Sequence, residues 1–284
     1  MTTATAVVLY HPTVEMIQTI RGYAEFSEFL IVVDNTEDTD YSAEFRGIEG
    51  LTYVSLGANK GLATALNVAA KLAIADGYGW MMMLDQDTVL SRQVFDSLRK
   101  QISEIEHPRV GLVTPLQVSK EEDLRAAERL PDRRDLLQAM TSGSVLSLAA
   151  YVDCGHFEDK LFIDHVDNEY CLRLRRAGYR VIQLTRVVLD HALGEVKEAA
   201  IFGRRFRFIT HRPFRSYYFV RNGCYVAAKF IGSCPQFLGL LCVNIAKDLL
   251  KAIFFEDEKL ARLRMMLRGF SDFCRGRYGP ARFS

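Results

Sequence analysis

Asp85 and Asp87, two carboxylates one residue apart, stand at the end of the apolar run Trp80–Leu84 (WMMML). In a strand, residues i and i+2 point to the same side, so this pair can hold a hard divalent cation through oxygen. An octahedral ion such as Mg2+ or Mn2+ takes one or two carboxylates and completes its shell with phosphate oxygens and water. An isolated Asp-x-Asp is more often a solvated turn, but a second carboxylate cluster shifts the balance. Asp164, Asp167 and Glu169 lie within six residues, after Leu161, Phe162 and Ile163, beside His165, and before an arginine-rich segment. Carboxylates crowded at a buried edge raise one another's pKa, which makes one of them a usable general base. The same residues suit the first turn of a helix, where acidic side chains complement the N–H groups; both roles can hold at once. His191, in DHALGE after another apolar run, is placed for a metal or phosphate contact, although a lone histidine is more often structural.

Such residues need elements to carry them. Ala6–Tyr10, Phe29–Val33, Leu51–Leu56 and Trp80–Leu84 are short apolar runs that predict buried strands, separated by helical patterns over Val14–Tyr23 and Gly61–Asp76. Continuous apolar strands alternating with helices predict a parallel sheet covered on both faces. Ligands of such sheets bind outside the carboxyl ends of the strands. Asp34-Asn35 and Asp85-Gln86-Asp87 both follow strand runs, so two strand ends offer carboxylates to one crevice. Further on, the spacing predicts a helix from Ser91 to about Ile105 and a strand at Val110–Thr114. A surface loop or mobile flap over Lys120–Asp135 and a strand or short helix over Met140–Tyr151 follow. Leu161–Ile163 reads as strand-like, Val181–Leu184 and Val187–Leu189 as short strands, and the chain beyond about 196 as helical.

The chain has 284 residues, 49% hydrophobic and 25% charged, which fits one large or two small globular domains and excludes disordered and fibrous classes. Six cysteines without a Cys-x-x-Cys pair point to neither a zinc ribbon nor a disulfide framework. The N-terminal residues do not read as a signal peptide, and no charge-free stretch reaches membrane-spanning length, so a cytoplasmic location is expected. The net charge of +1 argues against a nucleic-acid partner. That total is an average: residues 196–284 carry 17 Lys/Arg against 6 Asp/Glu, and residues 1–195 carry 19 against 29.

Taken in order, VVLYHP, VVDN, GANKGLATALN, LDQDT, TSGSVLS, LFIDHVDNEYCLRLRRAGYRV, DHALGE and RPFRSYYFVRN resemble the family 2 inverting glycosyltransferases of the GT-A type. The likeness is greatest to the bacterial rhamnosyltransferases of O-antigen and exopolysaccharide assembly and runs from about residue 5 to about 280. The resemblance implies an α/β fold, a Rossmann-like, mixed but mostly parallel sheet flanked by helices, with a helical C-terminal extension. It implies a catalytic domain over 1–195, its acceptor half from about 110, and a basic region over 196–284 facing acceptor or membrane. By position it places Tyr10, His11 and Asp34 at the nucleotide base, and Asn59, Lys60, Gly61 and Asn67 along the nucleotide. It places Asp85, Gln86, Ser142 and Gly143 at the donor and Asp85, Asp87 and His191 at the metal. Asp167 takes the place of the general base; Val166 stands where many relatives carry a second acid, so Glu169 or Asp164 is the substitute. Leu9 departs from a frequent threonine.

The implied reaction moves L-rhamnose from dTDP-L-rhamnose to a hydroxyl of a polysaccharide or lipid-linked oligosaccharide, with Mg2+ or Mn2+ as cofactor. The alternatives are the same fold with a UDP-hexose or UDP-galactofuranose donor, or a non-catalytic nucleotide-sugar-binding module. A nicotinamide dehydrogenase is set aside because no Gly-x-Gly-x-x-Gly follows the first strand. In the basic region, Arg204, Arg205 and Arg207 interleave with Phe202, Phe206 and Phe208, and Phe237–Phe255 is an apolar segment carrying Lys247 and Lys251. Arg262, Arg264 and Arg268 follow. That pattern fits a peripheral contact with an anionic membrane surface, on the inner face of the cytoplasmic membrane, or else packing against the catalytic domain with a solvated arginine face.

Overall fold

The computed structural model describes residues 2–105, 107–118, 128–190, 195–201, 204–210, 212–255 and 258–283, with backbone alone for 190, 195–201 and 204–210. The four apolar runs become β1 (Thr3–Leu9), β2 (Phe29–Asp34), β3 (Leu51–Ser55) and β4 (Trp80–Asp85). They are mutually parallel in the order β3-β2-β1-β4. Parallel neighbours need crossovers, supplied by α1 (Val14–Gly22), α2 (Ser42–Phe45) and α3 (Leu62–Ala75). Every residue of β2 is buried, as a strand covered on both faces must be. β1 begins three residues ahead of its apolar run, because Thr3 and Thr5 are buried in the sheet and Ser27 Oγ donates to Thr5 Oγ1 at 3.0 Å.

The sheet continues through α4 (Arg92–Ser103), β5 (Val110–Val118), β6 (Arg133–Asp135), β7 (Ser144–Ser147), α5 (Leu148–Cys154), α6 (Val166–Arg176) and β8 (Arg180–Asp190). The full order is β3-β2-β1-β4-β7-β5-β8-β6. Here β7 runs antiparallel to both β4 and β5, and β6 antiparallel to β8. The result is the expected mixed, mostly parallel sheet flanked by helices. Thr13, Ser91 and Ser147 cap α1, α4 and α5 by accepting N–H bonds from Met16, Val94 and Ala150.

Three expectations need correction. Leu161–Ile163 is not a strand: a 3-10 turn over Asp159–Leu161 runs into left-handed backbone at Phe162, Asp164 and His165. The two short strands after Val181 are one strand, β8, with an irregularity opposite Pro115–Leu116. Proline has no N–H to give a ladder, and Thr185 instead bonds the other side, its N–H to Asp132 O at 3.0 Å and its hydroxyl to Pro131 O at 2.8 Å. Finally, the chain after 195 opens with an antiparallel pair, β9 (Glu195–Ile201) and β10 (Arg204–Thr210), before its helices. Arginine alternating with phenylalanine is a period-two pattern, which is a strand signal. The expected loop over Lys120–Asp135 ends in the residues of β6; 119–127 lie outside the described residues.

The chain divides into two compact units, one of residues 1–159 and 167–192, the other of 160–166 and 193–284. In the second unit, α7 (Pro213–Phe230), α8 (Pro235–Phe254) and α9 (Lys259–Cys274) follow the strand pair, α7 and α8 each with proline at the helix start. Gly269 of α9 sits where a side chain would collide with Tyr217 O, which lets α7 and α9 pack backbone to backbone. Arg221 and Asn222 of the motif RPFRSYYFVRN are buried structural residues. The Arg221 guanidinium lies against the rings of Tyr217, Tyr218 and Tyr278 and donates to Gly279 O at 2.8 Å. Asn222 Nδ2 donates to the carbonyls of Leu161, Ile163 and Asp164, which holds the left-handed segment in place.

Candidate active site

β1, β2 and β4 end together. Leu9 pairs with Asp34 on one flank and Val8 with Asp85 on the other, so Tyr10, Asp34 and Asp85 stand at the same edge of the sheet. This is the edge at which parallel sheets bind ligands.

The Asp85–Asp87 turn is braced by buried hydroxyls. The Asp85 N–H donates to Ser142 Oγ at 3.1 Å, Ser142 Oγ also bonds Thr88 Oγ1, and the Thr88 N–H donates to Asp85 O at 3.1 Å. Tyr23 in turn donates its hydroxyl to Thr88 O. Gly143 donates its N–H to Met83 O at 2.8 Å from left-handed backbone (φ +77°), and a side chain there would collide with Leu189 Cδ2. Gln86 makes two bonds to the backbone of Tyr10, accepting its N–H at 2.8 Å and donating to its carbonyl at 3.0 Å. Ser142, Gly143 and Gln86 were expected at the donor; their visible work is to fix the carboxylate turn and tie it to the end of β1. Asp85 is half-buried and Asp87 exposed.

Asp34 is fully buried, its Oδ1 accepting the Thr36 N–H at 2.8 Å and its Oδ2 the Tyr53 hydroxyl at 2.6 Å. Burial, and then that bond to Asp34, push the Tyr53 phenol well above its ordinary pKa. Thr36 Oγ1 accepts the His11 N–H at 3.1 Å, beside left-handed backbone at His11. The Tyr10 hydroxyl and His11 Nε2 both reach the Glu37 carboxylate, at 3.3 and 3.2 Å, and the two rings meet edge-on at 4.5 Å. Asn35, absent from the expected site, governs the next loop: its Nδ2 donates to Gly61 O at 3.2 Å and its Oδ1 accepts the Lys60 N–H at 3.1 Å. Asn59 Oδ1 accepts the Gly61 N–H at 3.1 Å, so Asn59, Lys60 and Gly61 form a fixed turn at the start of α3. The Asp-Asn pair closing β2 was the signal for Asn35, since asparagine bonds backbone in turns.

Asn67 departs from expectation. Its Oδ1 accepts the Phe157 N–H at 2.8 Å and the Tyr151 hydroxyl at 2.9 Å, and its Nδ2 donates to Phe157 O at 2.9 Å and Asp159 Oδ1 at 3.0 Å. An amide with all these bonds made inside the protein ties α3 to residues 151–159 and is not left facing a nucleotide. Burial, with Asp159 adding, pushes the Tyr151 phenol up to about 12, which keeps it a donor in that network.

The three carboxylates of the second cluster have different fates. Glu169 is fully buried and grips Arg173 one turn on, with bonds of 3.0 and 2.6 Å. Arg173 also donates to the carbonyls of Cys154, Gly155 and His156. Burial opposes the Arg173 charge, but the Glu169 bonds outweigh it and leave its pKa raised. The i, i+4 spacing of Glu169 and Arg173 was a readable signal for this pair. Glu169→Ala is expected to destabilise the fold by about 3–5 kcal/mol, because it strands a largely buried guanidinium; a melting curve checks it. Asp164 belongs to the second unit, where Arg215 bonds both of its oxygens. It lines a cavity of about 340 Å3 with Arg215, Phe219, Asp248 and Lys251. Its neighbour His165 is held below its ordinary pKa by burial, against the opposing charge of Asp164. Asp167, half-buried in the first turn of α6, accepts the Asn168 N–H at 2.8 Å and belongs to the same unit as the strand ends.

Among the described residues no three His, Cys, Asp or Glu side chains gather into a protein cage for a metal ion. Asp85 and Asp87 supply oxygen alone, which fits a hard cation that shares its shell with substrate phosphate and water. His191 lies outside the described residues.

Known proteins resemble this chain in sequence and fold. Residues 14–152 match Glycosyl transferase family 2. The chain is 26% identical over 229 residues to the dTDP-rhamnosyl transferase RfbF of Shigella flexneri, covering 76% of each protein. Among solved structures, TarS residues 1–349 of S. aureus align with a TM-score of 0.60 at 14% identity, over 96% of this chain and 81% of that one. The mannosyltransferase PcManGT of Pyrobaculum calidifontis, in complex with GDP-Man and Mn2+, aligns at 0.56 and 16%, over 96% and 87%. With the sheet and these likenesses together, the chain is a glycosyltransferase of GT-A-like fold, similar over residues 14–152 to glycosyl transferase family 2.

Proposed function

We propose that the enzyme transfers L-rhamnose from dTDP-L-rhamnose to a hydroxyl of a glycan or lipid-linked oligosaccharide, with inversion at the sugar carbon. The observation that carries this reading is the convergence of Asp34, Asp85 and Asp87 at one edge of the sheet. The Shigella relative's name supports the donor.

In this reading the Tyr10 ring and the Asp34 region receive the base, and the Asn59–Gly61 turn borders the diphosphate. Asp85 and Asp87 would hold Mg2+ or Mn2+, a choice supported by the Mn2+ in the Pyrobaculum complex. An ion bound there would offset negative charge growing on the departing diphosphate. Asp167 takes the proton of the acceptor hydroxyl as its oxygen forms the new bond to the anomeric carbon. The bond from that carbon to the phosphate oxygen breaks, and the electron pair leaves with dTDP. No covalent sugar–enzyme bond is required.

Thermal stabilisation by a panel of nucleotide sugars, with and without Mg2+ or Mn2+, tests this reading. At a hundredfold excess over Kd, dTDP-L-rhamnose with metal is expected to raise Tm by about 5 °C, and less without it. An equal or larger shift with UDP-galactofuranose or a UDP-hexose would move the donor assignment. No shift with any nucleotide sugar would overturn the proposal.

A further inference from the structure

Helix α8 (Pro235–Phe254) buries only a narrow stripe. Phe237, Leu241 and Ala252 are covered, whereas Leu238, Leu240, Val243, Leu249, Leu250, Ile253 and Phe254 are exposed, Phe254 to 67%. At 3.6 residues per turn all of the exposed residues but Leu240, with Cys242 and Ala246 between them, sweep an arc of about 160° that holds no charged residue; Leu240 lies beyond its Phe254 edge, past Lys247. Asp248 falls in the packed sector with Lys251, whose ammonium pairs with it at 3.4 Å, and Lys247 sits just past the Phe254 edge of the arc. A surface helix of a soluble protein normally turns charge outward. This one is apolar on the packed side and, more broadly, on the open side. No helix among the described residues is long and apolar enough to cross a membrane.

What covers the arc is indicated by charge. The region from residue 196 carries a net +11. A second copy placed face to face would bring two such regions together and meet like-charge repulsion. An anionic lipid surface satisfies the apolar arc and the exposed Lys247 at once. We infer that α8 is an interfacial helix: it lies in the plane of an anionic bilayer, its Leu238–Phe254 arc in the boundary between headgroups and acyl chains and Lys247 beside the lipid phosphates. The contact is narrower than the sequence pattern indicated. Arg262 is buried and unavailable to lipid, and the side chains of Arg204, Arg205 and Arg207 lie outside the described residues. The inference deepens the lipid-linked side of the acceptor reading. Vesicles without donor or acceptor test it separately, because transfer to a water-soluble acceptor glycan can persist where vesicle binding fails.

The full chain is sedimented with phosphatidylcholine vesicles containing about one-third phosphatidylglycerol. Binding is expected at low salt and to weaken as salt rises. Val243→Asp with Leu250→Asp should lower the partition coefficient about tenfold or more, since each puts a charge in the apolar arc. Lys247→Gln should lower it about fivefold at low salt. On the unaltered protein, where no folding question arises, vesicles should slow alkylation of the exposed Cys242, read site by site by mass spectrometry, by at least about fivefold. Failure of the unaltered protein to sediment, or unchanged Cys242 alkylation, would overturn the inference. So would a dimer in sedimentation equilibrium that the double variant dissociates while vesicles bind neither form.

Discussion

Asp87→Asn is expected to lower kcat for sugar transfer by about 10^2–10^4-fold, the loss of a group worth several kcal/mol to the leaving diphosphate. The fold should not register the change. Asp87 is exposed, and the turn that carries it is fixed by the Asp85 N–H, the Ser142 and Thr88 hydroxyls and Gly143, none of which the amide disturbs. The melting temperature without ligand should therefore match the parent, as an exposed substitution usually shifts stability by no more than about 0.5 kcal/mol. The metal-dependent part of the Tm rise with dTDP-L-rhamnose should vanish. An Asp87→Asn protein that transfers sugar at the parental rate would remove Asp87 from the reaction.

Asp167→Asn is expected to cost about 10^2–10^4-fold in kcat, the usual contribution of a general base. It differs from Asp87→Asn in what it spares. In the proposed reading donor and metal are held at the strand ends, so the Tm rise with nucleotide sugar and metal should survive. Asp164→Asn is the decisive companion, because Arg215 already bonds both Asp164 oxygens. Retained transfer in Asp167→Asn with loss in Asp164→Asn would pass the proton to Asp164. Glu169 enters this comparison only through stability, being held by Arg173.

Much of the fold was legible because its signal is local. The runs at Phe29 and Trp80 have no polar residue before their final aspartates, and only a strand covered on both faces accommodates such a run. The strand-end aspartates were legible for the same reason, as the first polar residues after each run. Failures came where local pattern is ambiguous or a distant partner decides. Leu161–Ile163 has a strand's composition, yet Asn222, some sixty residues on, bonds carbonyls of this segment and fixes it in left-handed backbone. The Arg-Phe alternation after 202 carried a strand period that composition alone obscured.

The amino-acid sequence by itself determined which residues could do chemistry and the sheet that presents them, since residue type and apolar period are written along the chain. Tertiary structure alone decided which polar groups are spent. Asn67 is saturated by Tyr151, Phe157 and Asp159, Glu169 by Arg173, Asp164 by Arg215, and Ser142 by the Asp85–Thr88 turn. A hydrogen bond or ion pair between residues dozens of positions apart leaves no trace in local spacing, but it fixes whether a side chain braces the protein or meets a ligand. The same holds for α8: its sequence is apolar on nearly every side, and only packing showed which narrow stripe the protein covers and which broad arc it leaves exposed.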